Sequence, residues 1–428
     1  MRRHGGFGAA GLVVALVTGA LAPAPASGQI PNANAAALGM GGNHAAVARG
    51  YAAVAWNPAM LGLPGGPGSS FALLPFTVGG GLRTVRLGSL ADFAGDSVPR
   101  AQRERWLTDI ERQGGERGDA GGDVTFLVAS TGPFAFQLST VAYGTADLSP
   151  GAAELVLFGN AGRTGDACAC LLEGSTLDGH AVSTGAVSYG FPIQWEQGSS
   201  AALGVTLKYS VGHGMVHGAD LGSALTPDAR VDVRFPTITT DTASFRNSGS
   251  GWGLDLGFAV IERGVTYSVA MQNVVNGFRW DTERLRYRPG TAVFDRDAQR
   301  ADFDQEPFEN APLELRERVE ELRFNRVLSF GMARSAGSAL TLSADYRRRL
   351  GEGGIDSGPA RHIGGGAEFR LPFVALQAGG ALLSEGYQLG GGAGLSLGPM
   401  KVGAALLHRG GDAGSGLRAT LTLISTQR

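Results

Sequence analysis

Leu203-Gly-Val-Thr-Leu-Lys-Tyr-Ser-Val-Gly212 alternates, residue by residue, between large apolar side chains and small or polar ones. Neighbouring side chains of a β-strand point to opposite faces, so Leu203, Val205, Leu207, Tyr209 and Val211 share one surface. Gly204, Thr206, Lys208, Ser210 and Gly212 share the other. The same period of two recurs from Trp252 to Val260, Val265 to Gln272, Leu340 to Arg347 and Leu417 to Leu423. The strands these runs imply are about nine to twelve residues long, enough to cross a bilayer at a tilt with one face to lipid.

A soluble β-sandwich alternates too, and the connections separate the two architectures. Reading back from the C-terminus, strands fall near 416–425, 399–408, 386–396, 372–381, 360–370, 338–348 and 324–335. Further back they fall near 264–276, 250–261, 199–213, 178–193, 133–144 and 123–131, with a first strand within 70–89. Thr131-Gly-Pro133, Gln194 to Ser199, Glu262-Arg-Gly264, Ser335 to Ser338, Leu371-Pro372 and Leu397-Gly-Pro399 are tight turns. Between them lie mostly longer connections near 90–122, 145–177, 214–249, 277–323, 349–359, 382–385 and 409–415. Short turns at one end and longer loops at the other suit a membrane barrel, and an even strand count lets it close. The expected class is all-β, a 14-stranded antiparallel transmembrane β-barrel.

Export is written at the N-terminus. Met1-Arg-Arg3 supplies positive charge, Phe7 to Leu21 an apolar core, and Ala24-Pro-Ala26 or Ala26-Ser-Gly28 a small-residue cleavage site. Residues 1–28 therefore read as a signal peptide. No later segment is apolar enough for a transmembrane helix, so a membrane-bound mature chain must cross as a closed barrel. The formal charge of −2 gives no reason to expect nucleic acid as a partner. Cys168 and Cys170 read as loop cysteines with at most a local disulfide, and two thiolates fall short of a four-ligand zinc site. The interior faces of the strands are small and mildly polar, which suits a narrow or filled lumen better than a wide aqueous pore. Trp195 and Trp252 fall near strand ends, where an aromatic girdle sits.

The stretch ahead of the first strand is thin. Gly39, Gly41 and Gly42 permit close backbone approach, a run of alanines follows, and Asn57, Pro58 and Gly62 can cap, start and end a short turn. Leu38-Gly-Met-Gly-Gly42 and Trp56-Asn-Pro-Ala59 resemble the N-terminal hatch of the FadL-type outer-membrane superfamily, which also includes PorV-like secretion-associated barrels. Gly251 to Gly257, Met271 to Asn276, Leu342 to Tyr346 and Gly364 to Phe369 resemble strands of that family. The resemblance implies a hatch over residues 29–68 inside a barrel over 69–428, with the hatch shifting as an apolar ligand passes. It also implies the bacterial outer membrane as location and membrane lipid as surroundings. The chain ends Ile424-Ser-Thr-Gln-Arg428 where many such barrels end on an aromatic residue, which implies a short tail past the last strand.

Other chemistry is weak. His213 and His217 could offer two ligands to a metal but sit at a strand end without a carboxylate cluster, so no metal is expected. The glycine runs at 364–366 and 390–392 lack a strand–turn–helix context, so no nucleotide or other cofactor is expected. No Gly-X-Ser-X-Gly elbow appears, and no Ser or Cys is tied to a His and an acid, so no enzyme is expected. Lys208 and Asp255 both point to the polar side, each about five residues from one long loop, so they are expected nearly opposite each other across an antiparallel pair, as a lumen-facing ion pair. Two loops carry helical patterns: Pro99 to Gln113, and a segment entered at Asn310-Ala-Pro312 with Leu315, Val319 and Leu322 as its apolar stripe. Both are expected as docked surface helices. The leading function is passage of hydrophobic small molecules such as long-chain fatty acids or hydrocarbons. The alternative is a PorV-like barrel whose extracellular loops bind a protein partner for secretion or surface assembly, without transport; a purely structural barrel is the third.

Overall fold

The computed structural model describes residues 33–159, 162–165, 170–194, 199–226, 230–244, 246–294, 299–351, 354–355, 358–411 and 414–427. The 1–28 signal segment, residues 29–32 of the expected hatch, Cys168 and Trp195 lie outside the described residues.

Fourteen strands run antiparallel to their neighbours: β1 in two pieces (Ser69–Leu73 and Phe76–Leu82), β2 (Glu116–Thr131), β3 (Phe134–Leu148), β4 (Thr176–Gln194), β5 (Ser200–Ala219), β6 (Gly249–Glu262) and β7 (Val265–Asn276). They continue with β8 (Arg326–Ala336), β9 (Leu340–Leu350), β10 (Arg361–Arg370), β11 (Val374–Leu383), β12 (Gly386–Leu397), β13 (Met400–Gly410) and β14 (Ser415–Gln427). Phe76 faces Leu421, so β14 returns to β1 and the sheet closes. Closure leaves no strand edge unpaired, which is what lets a sheet lie in lipid. Leu74 takes a left-handed φ of 49° before Pro75, and this splits β1. The last strand runs through Gln427, with Ser70 facing it, so the expected tail is part of the barrel wall.

The alternation sorts the two faces. Leu203, Leu207, Tyr209, Trp252, Phe330, Leu342, Ile363 and Leu389 are exposed, while Thr206, Lys208, Ser268, Ser329, Ser343 and Gln388 are buried. Large apolar side chains therefore face outward and polar ones inward, the inverse of a soluble protein and the arrangement of a barrel surrounded by hydrocarbon. Rings cluster toward both ends of this outer surface. Phe134, Tyr189 and Phe191 pack edge to face at 4.4 and 4.3 Å beside the short turns, and Tyr209 meets Trp252 at 4.8 Å nearer the loops. Inside, hydroxyl pairs bridge adjacent strands: Ser188 with Thr206 at 2.8 Å, Thr184 with Ser210 at 2.9 Å, Thr77 with Thr420 at 2.9 Å.

Ahead of β1, residues 33–63 form short pieces, including α1 (Ala35–Gly39) and α2 (Ala53–Trp56), almost wholly buried. Two loop helices match the sequence patterns, α3 (Arg100–Gln113) and α5 (Leu313–Glu321); α4 (Pro150–Phe158) lies between them in the chain. Trp106, Leu107 and Ile110 of α3 pack with Ala153 of α4. Leu315 and Val319 of α5 are buried with Phe278, Trp280, Ile238 and Met215, with Leu322 against them. Asn310 does not cap α5. Pro312 occupies that position, and the Asn310 amide instead donates to Glu306 Oε2 at 2.9 Å. The long loops also pair with one another, in a separate five-stranded sheet that joins Cys170–Leu171, Ala224–Leu225, Val231–Arg234, Thr291–Phe294 and Gln299–Asp302.

The outward band sets an expectation. Phe330→Arg places a charge at mid-band and should cost about 2–4 kcal/mol, whereas Leu313→Arg on the exposed flank of α5 should cost almost nothing. Denaturant unfolding into lipid vesicles, followed by heat-modifiable gel mobility, checks the difference.

Candidate functional site

The buried N-terminal segment meets the inner wall through glycine. A Cβ built on Gly379 of β11 would sit 2.1 Å from the Met40 carbonyl oxygen, and one on Gly204 of β5 would sit 2.0 Å from the Ala59 nitrogen. Both distances are far inside van der Waals contact, so only glycine admits the segment's backbone there. Gly204 shares its face with Thr206 and Lys208, which fixes the contact on the lumen side. The segment's own Gly41 and Gly42 take φ values of 65° and 76°, turning the chain after α1.

Two asparagines then fasten the segment to the sheet in the same manner. Asn43 Nδ2 donates to the carbonyls of Gly365 and Gly380 at 3.0 and 3.1 Å, residues that face each other across β10 and β11. Asn57 Nδ2 donates to Phe258 and Val269 carbonyls, each at 3.1 Å, and these face each other across β6 and β7. Asn57 Oδ1 also accepts from Ala59 N at 3.0 Å, capping the turn that Pro58 begins. The wall returns its own contacts. Asp345 Oδ2 accepts the backbone N–H groups of His44 and Ala45 at 2.7 and 2.9 Å. Gln388 donates to the Gly41 carbonyl at 2.6 Å, Arg347 to Gly42 at 2.9 Å, Ser343 to Asn43 at 2.8 Å and Gln272 to Ala55 at 2.7 Å. A segment of single helical turns, shut away from water, leaves many peptide groups to be satisfied from outside it, and these side chains do it.

Of the motif positions, Met40 and Ala59 are wholly buried, Trp56 packs edge-on to His44 at 5.6 Å, and the Arg347 guanidinium lies 5.2 Å from the Trp56 ring centre. Leu38 and Gly39 belong to α1 against β12. Burial, together with the nearby Arg49 and Arg370 charges and against the pull of Glu368, lowers His44 to about 4, so its ring is neutral where it meets Trp56. Asn43, Asp345, Arg347, Gln272 and Gln388 carry much of the fastening, and nothing in the sequence marks them beyond their place on the inward face.

The structure brings Lys208 and Asp255 together. Lys208 Nζ lies 2.5 Å from Asp255 Oδ1, with the two residues 5% and 1% exposed on the inner face. They are diagonal rather than opposite: Lys208 faces Gly253, and Asp255 faces Thr206. A third residue completes the cluster. Between Leu254 and Leu256 of β6, the register with β7 jumps from Val275 to Met271, so three residues oppose the single Asp255. Asn273, in this bulge at φ 55°, turns inward, accepts from Lys208 Nζ at 2.5 Å and donates its backbone N–H to Asp255 Oδ1 at 2.7 Å. His213 and His217 do not converge. His213 Nε2 meets Ser183 Oγ at 2.6 Å, and His217 Nδ1 meets Asp178 Oδ1 at 2.6 Å.

No protein-family model and no curated protein matches the sequence. Solved structures do resemble the fold. The toluene transporter TodX of Pseudomonas putida superposes with a TM-score of 0.52 at 12% identity, over 94% of this chain and 99% of its own. The CymD monoaromatic hydrocarbon channel superposes with a TM-score of 0.50 at 11% identity, over 95% of this chain and 98% of its own. The fold is that of the TodX and CymD barrels. In this barrel the wall glycines and the buried segment are complementary surfaces, and that complementarity is open to test. Gly379→Val should displace the segment while the strands remain closed. Limited proteolysis should then cut between residues 33 and 63 in folded barrels that otherwise keep heat-modifiable mobility; equal protection in the variant and the unaltered protein would contradict this fit.

Proposed function

We propose that this barrel passes hydrophobic small molecules, in the range from monoaromatic hydrocarbons to long-chain fatty acids, across the outer membrane, with residues 29–68 as its hatch. One observation carries the reading. The segment inside the lumen is not a strand of the sheet; side-chain hydrogen bonds and close glycine contacts hold it, and these can be exchanged without opening the wall. A plug fastened in this way can shift, whereas one woven into the sheet cannot. Support also comes from the shared fold of TodX and CymD, described as a toluene transporter and a monoaromatic hydrocarbon channel.

The Lys208–Asp255–Asn273 cluster fits the same reading. It lies on the inner wall two residues along β6 from Gly257, where a Cβ would strike Asn57. The bulge and the ion pair thus stand between the hatch turn and the loop-side aromatic cluster of Phe278 and Trp280. A buried ion pair adds little stability over an apolar pair, but loss of either partner leaves the other charge buried and uncompensated. Here it holds β5 against the bulged β7 where the wall departs from regular pairing.

Uptake tests the proposal. A strain lacking the gene, complemented with the intact protein, should take up labelled toluene or a labelled long-chain fatty acid faster than the uncomplemented strain. Deletion of residues 38–60 should change that rate while the barrel still inserts. Rates equal to the uncomplemented strain for both forms would refute transport and favour a barrel that serves protein partners.

A further inference from the structure

The outer surface of the barrel carries one group of charges that the lipid-facing band does not explain. Arg326 of β8, Arg348 of β9 and Arg361 of β10 are all exposed. Each continues the outward row of its strand: Arg326 beyond Leu328 and Phe330, Arg348 beyond Ala344 and Tyr346, Arg361 beyond Ile363. The register places them side by side. Arg348 faces Arg361 directly, and Arg326 faces Leu350, one diagonal step from Arg348. Like charges directly opposite across a strand pair are destabilising. Among the described residues no hydrogen bond or ion pair engages these three guanidinium groups.

Their height on the barrel is defined by the same rows. From Ile363 through Phe369 and Leu371 to Phe373 the outward residues of β10 and its turn are apolar or small. From Leu371, the last outward residue before the turn, up to Arg361 is ten residue steps, which at about 3.3 Å each and a tilt near 40° gives roughly 25 Å of height, the thickness of the apolar band of a membrane barrel. Arg361 comes immediately after, at the end of the strand that carries the loops. Three cations with no partner among the described residues thus stand where hydrocarbon gives way to headgroups in the outward leaflet.

We propose that Arg326, Arg348 and Arg361 form a binding site for the phosphate groups of an anionic lipid headgroup in the outer leaflet. Guanidinium groups suit the task, since each presents a planar fork that meets two phosphate oxygens at once. A bridging phosphate would also turn the Arg348–Arg361 repulsion into shared attraction and tie β8, β9 and β10 together at their loop ends. The site lies on the lipid face, on the far side of the wall from the hatch, so it stands whether or not the lumen conducts.

Native mass spectrometry of the full-length protein released from detergent tests it, with bisphosphorylated lipid A as probe. The unaltered protein should retain lipid A adducts and should not retain the same glycolipid stripped of its phosphates. The R326Q/R348Q/R361Q variant should lose retention on the order of a hundredfold, from about fivefold per guanidinium at a membrane surface. R348Q alone should lose about fivefold, which keeps the test open if the triple variant folds poorly by heat-modifiable mobility. R263Q/R334Q, which removes arginines at the opposite rim, should retain lipid A fully. Equal retention by the unaltered and triple-substituted proteins, or an equal loss in R263Q/R334Q, would overturn the proposal. Displacement of the lipid by an equimolar amount of inorganic phosphate would also overturn it, because the site would then take free anions.

Discussion

Everything in this barrel depends on one steric constraint: a second layer of backbone lies directly against the inner face of the sheet. Two peptide chains can approach that closely only where one of them has no Cβ, and the contacts at Gly204 and Gly379 show how little room there is. The constraint explains the glycine content of the inward rows, which would otherwise weaken strands through lost packing and greater entropy cost. It also dictates the polar chemistry of the wall. Backbone pressed into a closed space needs hydrogen-bond partners, and Asp345, Gln388, Arg347, Ser343 and Gln272 supply them from the wall, as Asn43 and Asn57 do from the segment.

All fourteen strands were legible in the sequence, because a residue facing lipid and its neighbour facing the lumen must differ and the turns at one end must be short. The ends of the strands were less legible. β2 begins at Glu116 and β5 runs to Ala219, beyond the alternation read at 123 and 213, because pairing continues above the band where sidedness no longer sorts residue types. The small sheet among the loops could not be read at all. Its strands are two to four residues long and come from distant parts of the chain, too short for a period to register.

The candidate site divides in the same way. Gly41, Gly42, Asn57 and Pro58 are legible because each does local work, turning the chain or capping a turn. The wall residues that receive them act at long range, and a polar residue on an inward row looks the same whether it faces water or holds a peptide. Lys208 and Asp255 could be paired from their equal distance to one loop. Asn273 could not, because it reaches them only through a bulge in β7, and a bulge leaves no trace in an alternation already interrupted by polar residues. The glycine runs at 364–366 and 390–392 were read only for the phosphate loops they are not. Their role is contact: a Cβ on Gly366 or Gly390 would collide with Met40 or Leu38.

The seating of the N-terminal segment in the lumen is the claim on which the rest stands, and cysteine accessibility measures it directly. With Cys168 and Cys170 replaced by serine, Ala59→Cys should resist a bulky maleimide in the folded barrel and react on unfolding, while Gly65→Cys, outside the buried stretch, should react at once. Labelling of Ala59→Cys as fast as Gly65→Cys, in barrels that keep their folded gel mobility, would contradict the account.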